Sequence, residues 1–317
     1  MQASLQRLAA LGLGGVAGQP QGLGAATEFI VTWPLDGRGA PERGDFDAAH
    51  AAPASTDAPR IEDDGQSSLP SDVAGELAPA ASGRMVSVRM TDRSPLVANS
   101  VLGLTIAVFL LQLASQSLLE GDYAVALGAK VNEAIRAGQW WRLLTPALLH
   151  GSVLHIAFNM MALRSLGPSL ERHYGHGRFL ALYLLGAFGG NVLSFLLSDG
   201  ASVGASTAIF GLFAAEAVFL YVNGKLFGPA ARQALRQMGG LLVINLLISL
   251  SPSIDMWGHL GGLLAGGGFA LLAGPKLFVA GDYPDLRLED ARSAQRMWTA
   301  AALVLAVFAA LAAWGMR

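Results

Sequence analysis

The stretch VGASTAIFG, Val203–Gly211, stands between a polar linker, SDGAS (Ser198–Ser202), and a long apolar run. Two adjacent hydroxyls, Ser206 and Thr207, therefore fall where a membrane helix is predicted to begin. The run they open is one of seven apolar segments after residue 95, at about 96–114, 153–170, 179–197, 205–222, 238–251, 257–273 and 298–314. Most approach the ~20 residues a helix needs to span a bilayer. The fifth is short, which predicts tilt, local thinning of the membrane or mobility. Composition agrees: 53% of the 317 residues are hydrophobic and 14% charged, with a mean hydropathy of +0.46. Those values place the chain among all-α integral membrane proteins.

The remaining composition narrows the chemistry. A net charge of -2 offers no basic surface for nucleic acid. The absence of cysteine removes disulfides, thiolate metal sites and thiol catalysis, so a covalent nucleophile must be an oxygen or an amine. Much of the abundant glycine lies inside the apolar segments, where small residues let helices approach closely. Before residue 95 the sequence changes character. Residues 35–65 carry eight acidic and three basic side chains among Ala, Pro, Gly and Ser. Such a segment buries too little apolar surface to offset chain entropy, and the region is predicted to be a disordered tail. Its first thirty residues make a poor signal peptide, with one arginine and a glycine-broken apolar stretch (AALGLGGVAG). Met85 and Met90 are alternative translation starts.

Lysines and arginines orient the segments. With the tail cytoplasmic, thirteen of them flank the segments on the inner side and four on the outer side, which the positive-inside tendency favours. The outer connection 115–152 contains GQWWRLLTPALLHG, whose amphipathic, tryptophan-rich character suits the headgroup region. On this orientation the second, fourth and sixth segments all start at the outer face. His155 and Asn159 lie in the first two turns of the second, Ser206 in the first turn of the fourth, and His259 in the first turn of the sixth. At a rise of ~1.5 Å per residue the four share a depth just below the outer surface.

Taken singly, each residue has a plain structural reading: Ser206 as a small packing residue, the histidines as satisfied hydrogen-bonding groups. Taken together, a polar layer shared by three helices points to function, because intramembrane polar groups are costly. His155 and Asn159, four apart, lie on one helix face. A serine hydroxyl needs a neutral imidazole to accept its proton, and His259 supplies one if the fourth and sixth segments touch. Gly211, Gly262 and Gly266 provide a groove for that contact. An asparagine amide, a histidine N–H and the Ser206 backbone N–H are donors for an oxyanion, and a helix N-terminus favours negative charge. Asp199 and Asp255 are read as solvated turn residues, which leaves a Ser–His dyad. Glu216 is read as reaching the inner interface or a neighbouring helix, Asn245 as an interhelical hydrogen bond, and His173 and His176 as solvated. The last two lack a third ligand, so no metal is expected.

These residues resemble the rhomboid family of intramembrane serine proteases over about 96–273. The matching elements are H-x4-H-x3-N in HGSVLHIAFN, G-x-S in GAS, H-x2-G-x3-G in HLGGLLAG, Trp141-Arg142, and G-x3-E-x3-G at Gly167, Glu171 and Gly175. The resemblance implies a six-helix core at 95–275, a cytoplasmic linker at 276–297 and an added transmembrane helix at 298–317, behind a cytoplasmic tail at 1–94. It implies cleavage of transmembrane protein substrates near the outer face, with Ser206 the nucleophile and His259 the general base. His155 and Asn159 would serve the oxyanion, with Gly204 beside the nucleophile and His150 supporting. Trp141 and Arg142 would hold a membrane-embedded loop, and the fifth segment would be the mobile flank that admits a substrate helix. No cofactor or metal is implied, and the lipid bilayer is the surrounding partner. Where the family commonly has glycine after the serine, this chain has Thr207, a stiff side chain that could crowd the oxyanion pocket or donate a hydrogen bond. Phe210 replaces a frequent tyrosine beneath the imidazole and keeps an aromatic face. The charge bias and the lack of a transit-type leader fit a bacterial inner membrane. The rival readings are a catalytically inactive relative that binds membrane clients and a small-solute transporter. The one-sided polar layer argues against the second.

Overall fold

The computed structural model describes residues 27–33, 84–90, 93–281 and 286–317. Among them are the helices α1 (Leu96–Leu119), α2 (Tyr123–Gly128), α3 (Asn132–Arg136), α4 (Val153–Tyr174), α5 (His176–Leu197), α6 (Ser206–Val222), α7 (Gly224–Ile248), α8 (Met256–Ala273) and α9 (Ala294–Gly315). A helix covers each of the seven apolar segments, so the all-α membrane architecture expected from the sequence is present. Four helices, α1, α5, α8 and α9, are long and apolar enough to cross a membrane, and the apolar α6 is shorter. In α5 61% of the apolar window is buried, against 22% in α1 and 28% in α9, so α5 is the central helix and the other two are peripheral.

The centre is a seam of α5, α6 and α8 built on close backbone approach. A methyl group on Gly266 would come within 2.4 Å of Gly211 Cα, and one on Gly262 within 2.0 Å of the Thr207 carbonyl oxygen. Only glycine lets α8 lie this near α6. Helix ends are fixed by side chains. The Glu171 carboxylate accepts from Val97 N (2.8 Å) and Ala98 N (2.7 Å), which caps α1 from the far end of α4. Ser152 caps α4 through His155 N, and Ser293 caps α9 through Arg296 N. Arg292 and Arg296 donate to the Gly274 and Leu272 carbonyls, 2.6 Å each, and so tie α9 to the C-terminal end of α8.

The structure differs from the sequence reading at four places. Within the predicted disordered tail lie two strands, β1 (Thr27–Trp33) and β2 (Arg84–Met90), paired antiparallel. Within the predicted linker lie β3 (Leu277–Ala280) and β4 (Arg287–Asp290), and the sheet order is β1-β2-β4-β3. TEFIVTW and RMVSVRM are locally rich in β-branched, aromatic and other apolar residues, a signal diluted by the acidic, proline-containing sequence between them. The rest of the tail lies outside the described residues. The fifth segment is a 25-residue helix with a break at Gly228 (φ 59°, ψ -138°), just before Pro229. Lys225, Arg232 and Arg236 in its first half hid it from a hydropathy reading. The last helix begins at Ala294, capped by Ser293, four residues before the predicted start.

Candidate active site

The N-terminal ends of α4, α6 and α8 come together at one end of the bundle. Ser206, the first residue of α6, places its Oγ 2.9 Å from Nε2 of His259 in the first turn of α8. The imidazole is buried and lies flat on the Phe210 ring, with centroids 4.1 Å apart and planes 13° from parallel. Phe210 is one turn beyond Ser206 on α6, so one helix supplies both the hydroxyl and the surface beneath the imidazole. On the other side of the ring, Nδ1 is 2.7 Å from Ser249 Oγ, and Ser249 in turn donates to the Asn245 carbonyl at 2.7 Å.

His155 stands across the site on α4. A Cβ on Gly204 would lie 2.8 Å from His155 Cε1 and Nε2 and 3.6 Å from Ser206 Oγ. Gly204 has φ +136°, which an L side chain rarely adopts, so position 204 needs glycine twice over. His150 is buried and meets His155 edge-on at 5.1 Å. Its Nε2 accepts weakly from Ala205 N at 3.4 Å, and its backbone is paired both ways with the buried Gln112 side chain at 3.1 Å. Asn159 is buried on the same face as His155 and donates one amide N–H to the His155 carbonyl at 3.1 Å. An amide carries a second N–H as a further donor.

The connection after α1 is pinned from beneath. Two 3₁₀ turns, Trp140–Leu143 and Thr145–Leu148, follow α3. Buried Arg142 donates to Gln139 Oε1 and to the Ala129 and Ala126 carbonyls at 2.7, 2.7 and 2.6 Å, using the fork of its guanidinium. Trp141 is half exposed and donates Nε1–H to the Leu127 carbonyl at 2.8 Å. Lys130, fully buried, donates to the Ser198 and Gly200 carbonyls at 2.7 and 2.9 Å and so fastens this connection to the linker that precedes Ser206.

Several sequence expectations change here. Thr207 does not face the polar cleft. A Cβ placed on Gly190 would fall 2.5 Å from Thr207 Cβ, and one on Gly258 3.1 Å from its Cγ2, so the side chain fills the junction of α5 and α8. Its hydroxyl is buried without a hydrogen-bond partner. Asp255 is not a free turn residue: it caps α8 through Gly258 N at 2.9 Å and accepts from Ser194 of α5. It fixes the turn that carries His259, whereas Nδ1 itself faces Ser249. Asn245 bonds within its own helix, to the Leu241 carbonyl, and is exposed. His173 stacks on Phe219 at 4.4 Å with Nδ1 buried and unpartnered, and His176 meets Glu171. Glu216 Oε2 is likewise buried without a partner. Sequence reasoning missed Ser249, Gln112, Lys130 and Ser194. Gln112 was discoverable as a polar residue inside an apolar span; Ser249 looked like one more small residue in LLISLS.

Residues 137–276 match the family described as Rhomboid domain. This part of the chain is a rhomboid domain. It takes in every residue from Trp141 to His259 described above and leaves α1 and α9 outside. The chain is 44% identical over 154 residues to Rhomboid protease GluP of Bacillus subtilis (strain 168), 47% of this chain and 29% of that one. It is 39% identical over 142 residues to Rhomboid-like protease 3 of Toxoplasma gondii, 44% of this chain and 54% of that one. RHOMBOID-like protein 9, chloroplastic, of Arabidopsis thaliana matches at 37% over 140 residues, 44% of this chain and 32% of that one. The chain thus spans about a third to a half of these relatives' lengths, and the likeness is that of the rhomboid domain. The rhomboid match and the apolar helices make this an integral membrane protein, and the relatives it resembles include named proteases.

Proposed function

We propose that the protein is an intramembrane serine endopeptidase that cuts transmembrane proteins near the outer face of the membrane. The observation that carries this is the 2.9 Å contact between Ser206 Oγ and His259 Nε2, made between helices 53 positions apart in sequence. Ser206 Oγ attacks the scissile carbonyl carbon and its proton passes to His259 Nε2. The carbonyl oxygen becomes an oxyanion met by the Ser206 backbone N–H, Asn159 and His155. His259 then protonates the departing amine, which leaves an acyl-enzyme on Ser206. A water molecule, deprotonated by the same nitrogen, attacks the acyl carbon. The bond to Ser206 Oγ breaks, His259 returns the proton to Oγ, and the second product leaves as a carboxylic acid. The cleft is ready for this chemistry before substrate arrives, with Phe210 under the imidazole and Gly204 clearing space in front of the hydroxyl.

The excess of lysine and arginine on one set of flanks supports an orientation with the site end outside and the tail in the cytoplasm, as in a bacterial inner membrane. The test is cleavage of a tagged transmembrane reporter by wild type, Ser206→Ala and His259→Ala. Wild type cuts, and each variant loses about 10³-fold or more, because nucleophile and base act as one unit. Equal cutting by Ser206→Ala would overturn the mechanism. A wild type that cuts no reporter yet binds transmembrane clients would replace it with the client-binding reading.

A further inference from the structure

The outer half of α7 is attached to the rest of the domain by very little. Leu241, Val243, Ile244, Leu247, Ile248 and Leu250 are all exposed, and every residue from Leu235 to Trp257 has appreciable surface except one. That one is Ser249, 2% exposed, at the C-cap of the helix. Its hydroxyl lies between two groups at 2.7 Å, His259 Nδ1 and the Asn245 carbonyl oxygen.

The direction of these bonds follows from donor and acceptor capacity. A carbonyl oxygen only accepts, so the single Ser249 proton points to Asn245. The lone pairs of Ser249 Oγ then face Nδ1, which must carry a proton to bond with them. A neutral imidazole protonated at Nδ1 has its free lone pair at Nε2, where it receives the Ser206 O–H. One chain results: Ser206 O–H to Nε2, Nδ1–H to Ser249 Oγ, Ser249 O–H to the Asn245 carbonyl. We propose that Ser249 is a positioning residue for His259, fixing the tautomer and ring orientation a general base needs and making the readiness of that base depend on the docking of the outer end of α7. This rests on the protease reading above. In the transfer step the Ser206 proton moves to Nε2 while Nδ1–H stays donated to Ser249 Oγ, so the imidazolium keeps an acceptor on its far side. Since Ser249 is the only buried residue over this stretch, any outward swing of the helix end removes the acceptor from Nδ1. Among the described residues the structure places no other hydrogen-bond partner on that nitrogen.

The experiment uses the whole chain in proteoliposomes with Ser249→Ala and Ser249→Thr. It measures kcat and KM on a transmembrane reporter, the thermal midpoint, and the rate at which a fluorophosphonate labels Ser206. Ser249→Ala is expected to lower kcat by about tenfold or more, with KM within about twofold and an unchanged midpoint, because only the base is mis-set. Fluorophosphonate labelling falls by a similar factor, since it needs the activated hydroxyl and no substrate helix. Ser249→Thr keeps the hydroxyl and recovers most of the rate. Wild-type kcat in Ser249→Ala overturns the proposal, as does equal impairment of the Ala and Thr variants, or a loss that follows the midpoint. Ser206→Ala, run in parallel, separates the two claims. If it is dead while Ser249→Ala is normal, only the positioning role fails. If it cuts like wild type, the protease reading fails as well.

Discussion

Replacing Gly262 with alanine puts one carbon 2.0 Å from the Thr207 carbonyl oxygen, 2.9 Å from its carbonyl carbon and 3.3 Å from its Cα. The obstacle is backbone on a rigid helix, so no side-chain rotation relieves it. Ordinary contact begins near 3.4 Å, and α8 must move about 1.4 Å from α6 along that line. Thr207 is the neighbour of Ser206, and Gly262 lies three residues beyond His259 on α8. The separation therefore opens the Ser206–His259 contact directly, from 2.9 Å to roughly 4 Å, which is beyond hydrogen-bond reach. A displacement of about 1 Å at reacting groups costs on the order of 100-fold in rate, and overpacking a tight seam about 1–3 kcal/mol in stability. Gly262→Ala should thus lose about two decades of kcat on a transmembrane reporter, with a lowered thermal midpoint. Gly268→Ala is the matched control: the position is on the same helix and a Cβ there meets nothing within 4 Å. It should keep wild-type activity and gain slightly in stability from the helix preference of alanine over glycine. Wild-type kcat in Gly262→Ala, or equal damage from Gly268→Ala, would refute the reasoning.

Two further outcomes are expected. Thr207→Val keeps the shape that fills the junction of α5 and α8 and removes a buried, unpartnered hydroxyl. Its activity should stay within about threefold and its thermal midpoint should hold or rise, whereas Thr207→Gly should lower the midpoint by leaving a gap of about a side chain; a severe loss of kcat in Thr207→Val would show that the hydroxyl takes part in the chemistry. Burial holds Lys130 below the ordinary lysine value of 10.5, outweighing the attraction of Asp255, Asp199 and Glu133. Between the lowered value and 10.5 the unfolded chain binds more protons than the folded one, so stability should rise with pH across that window and stay penalised below it. Lys130→Met should flatten this alkaline slope in thermal unfolding; identical slopes would remove Lys130 as its source.

Much of the architecture was legible because hydrophobic length is a local property. Each run of apolar residues announces a helix without reference to any other, and the polar ends of α4, α6 and α8 fall at one depth by counting residues. Where locality failed, the reading failed. The first half of α7 carries charges that mask a helix held at Ala231 and Ala234. The strands β1 and β2 sit in a region whose average composition is disorder-like. Glu216 and His173 looked like interface or solvent residues because sequence gives no measure of how closely α4 and α6 pack.

The candidate site divides the same way. Sequence alone determined which groups are available: two adjacent hydroxyls at a helix start, two imidazoles and an amide in a membrane layer, and glycines spaced to let helices meet. It also left Thr207 beside Ser206 with an open role. Tertiary structure decided which face of α6 turns toward the cleft, and so directed Thr207 into the seam and Ser206 toward His259. It also decided what lies behind the imidazole. Asp255, four residues before His259, was the nearest acid in sequence, yet it caps the helix. Ser249, ten residues away across a turn, meets Nδ1. A hydrogen bond depends on distance and direction to within a few tenths of an ångström, and those are set by how α7 and α8 pack, which no spacing along the chain encodes.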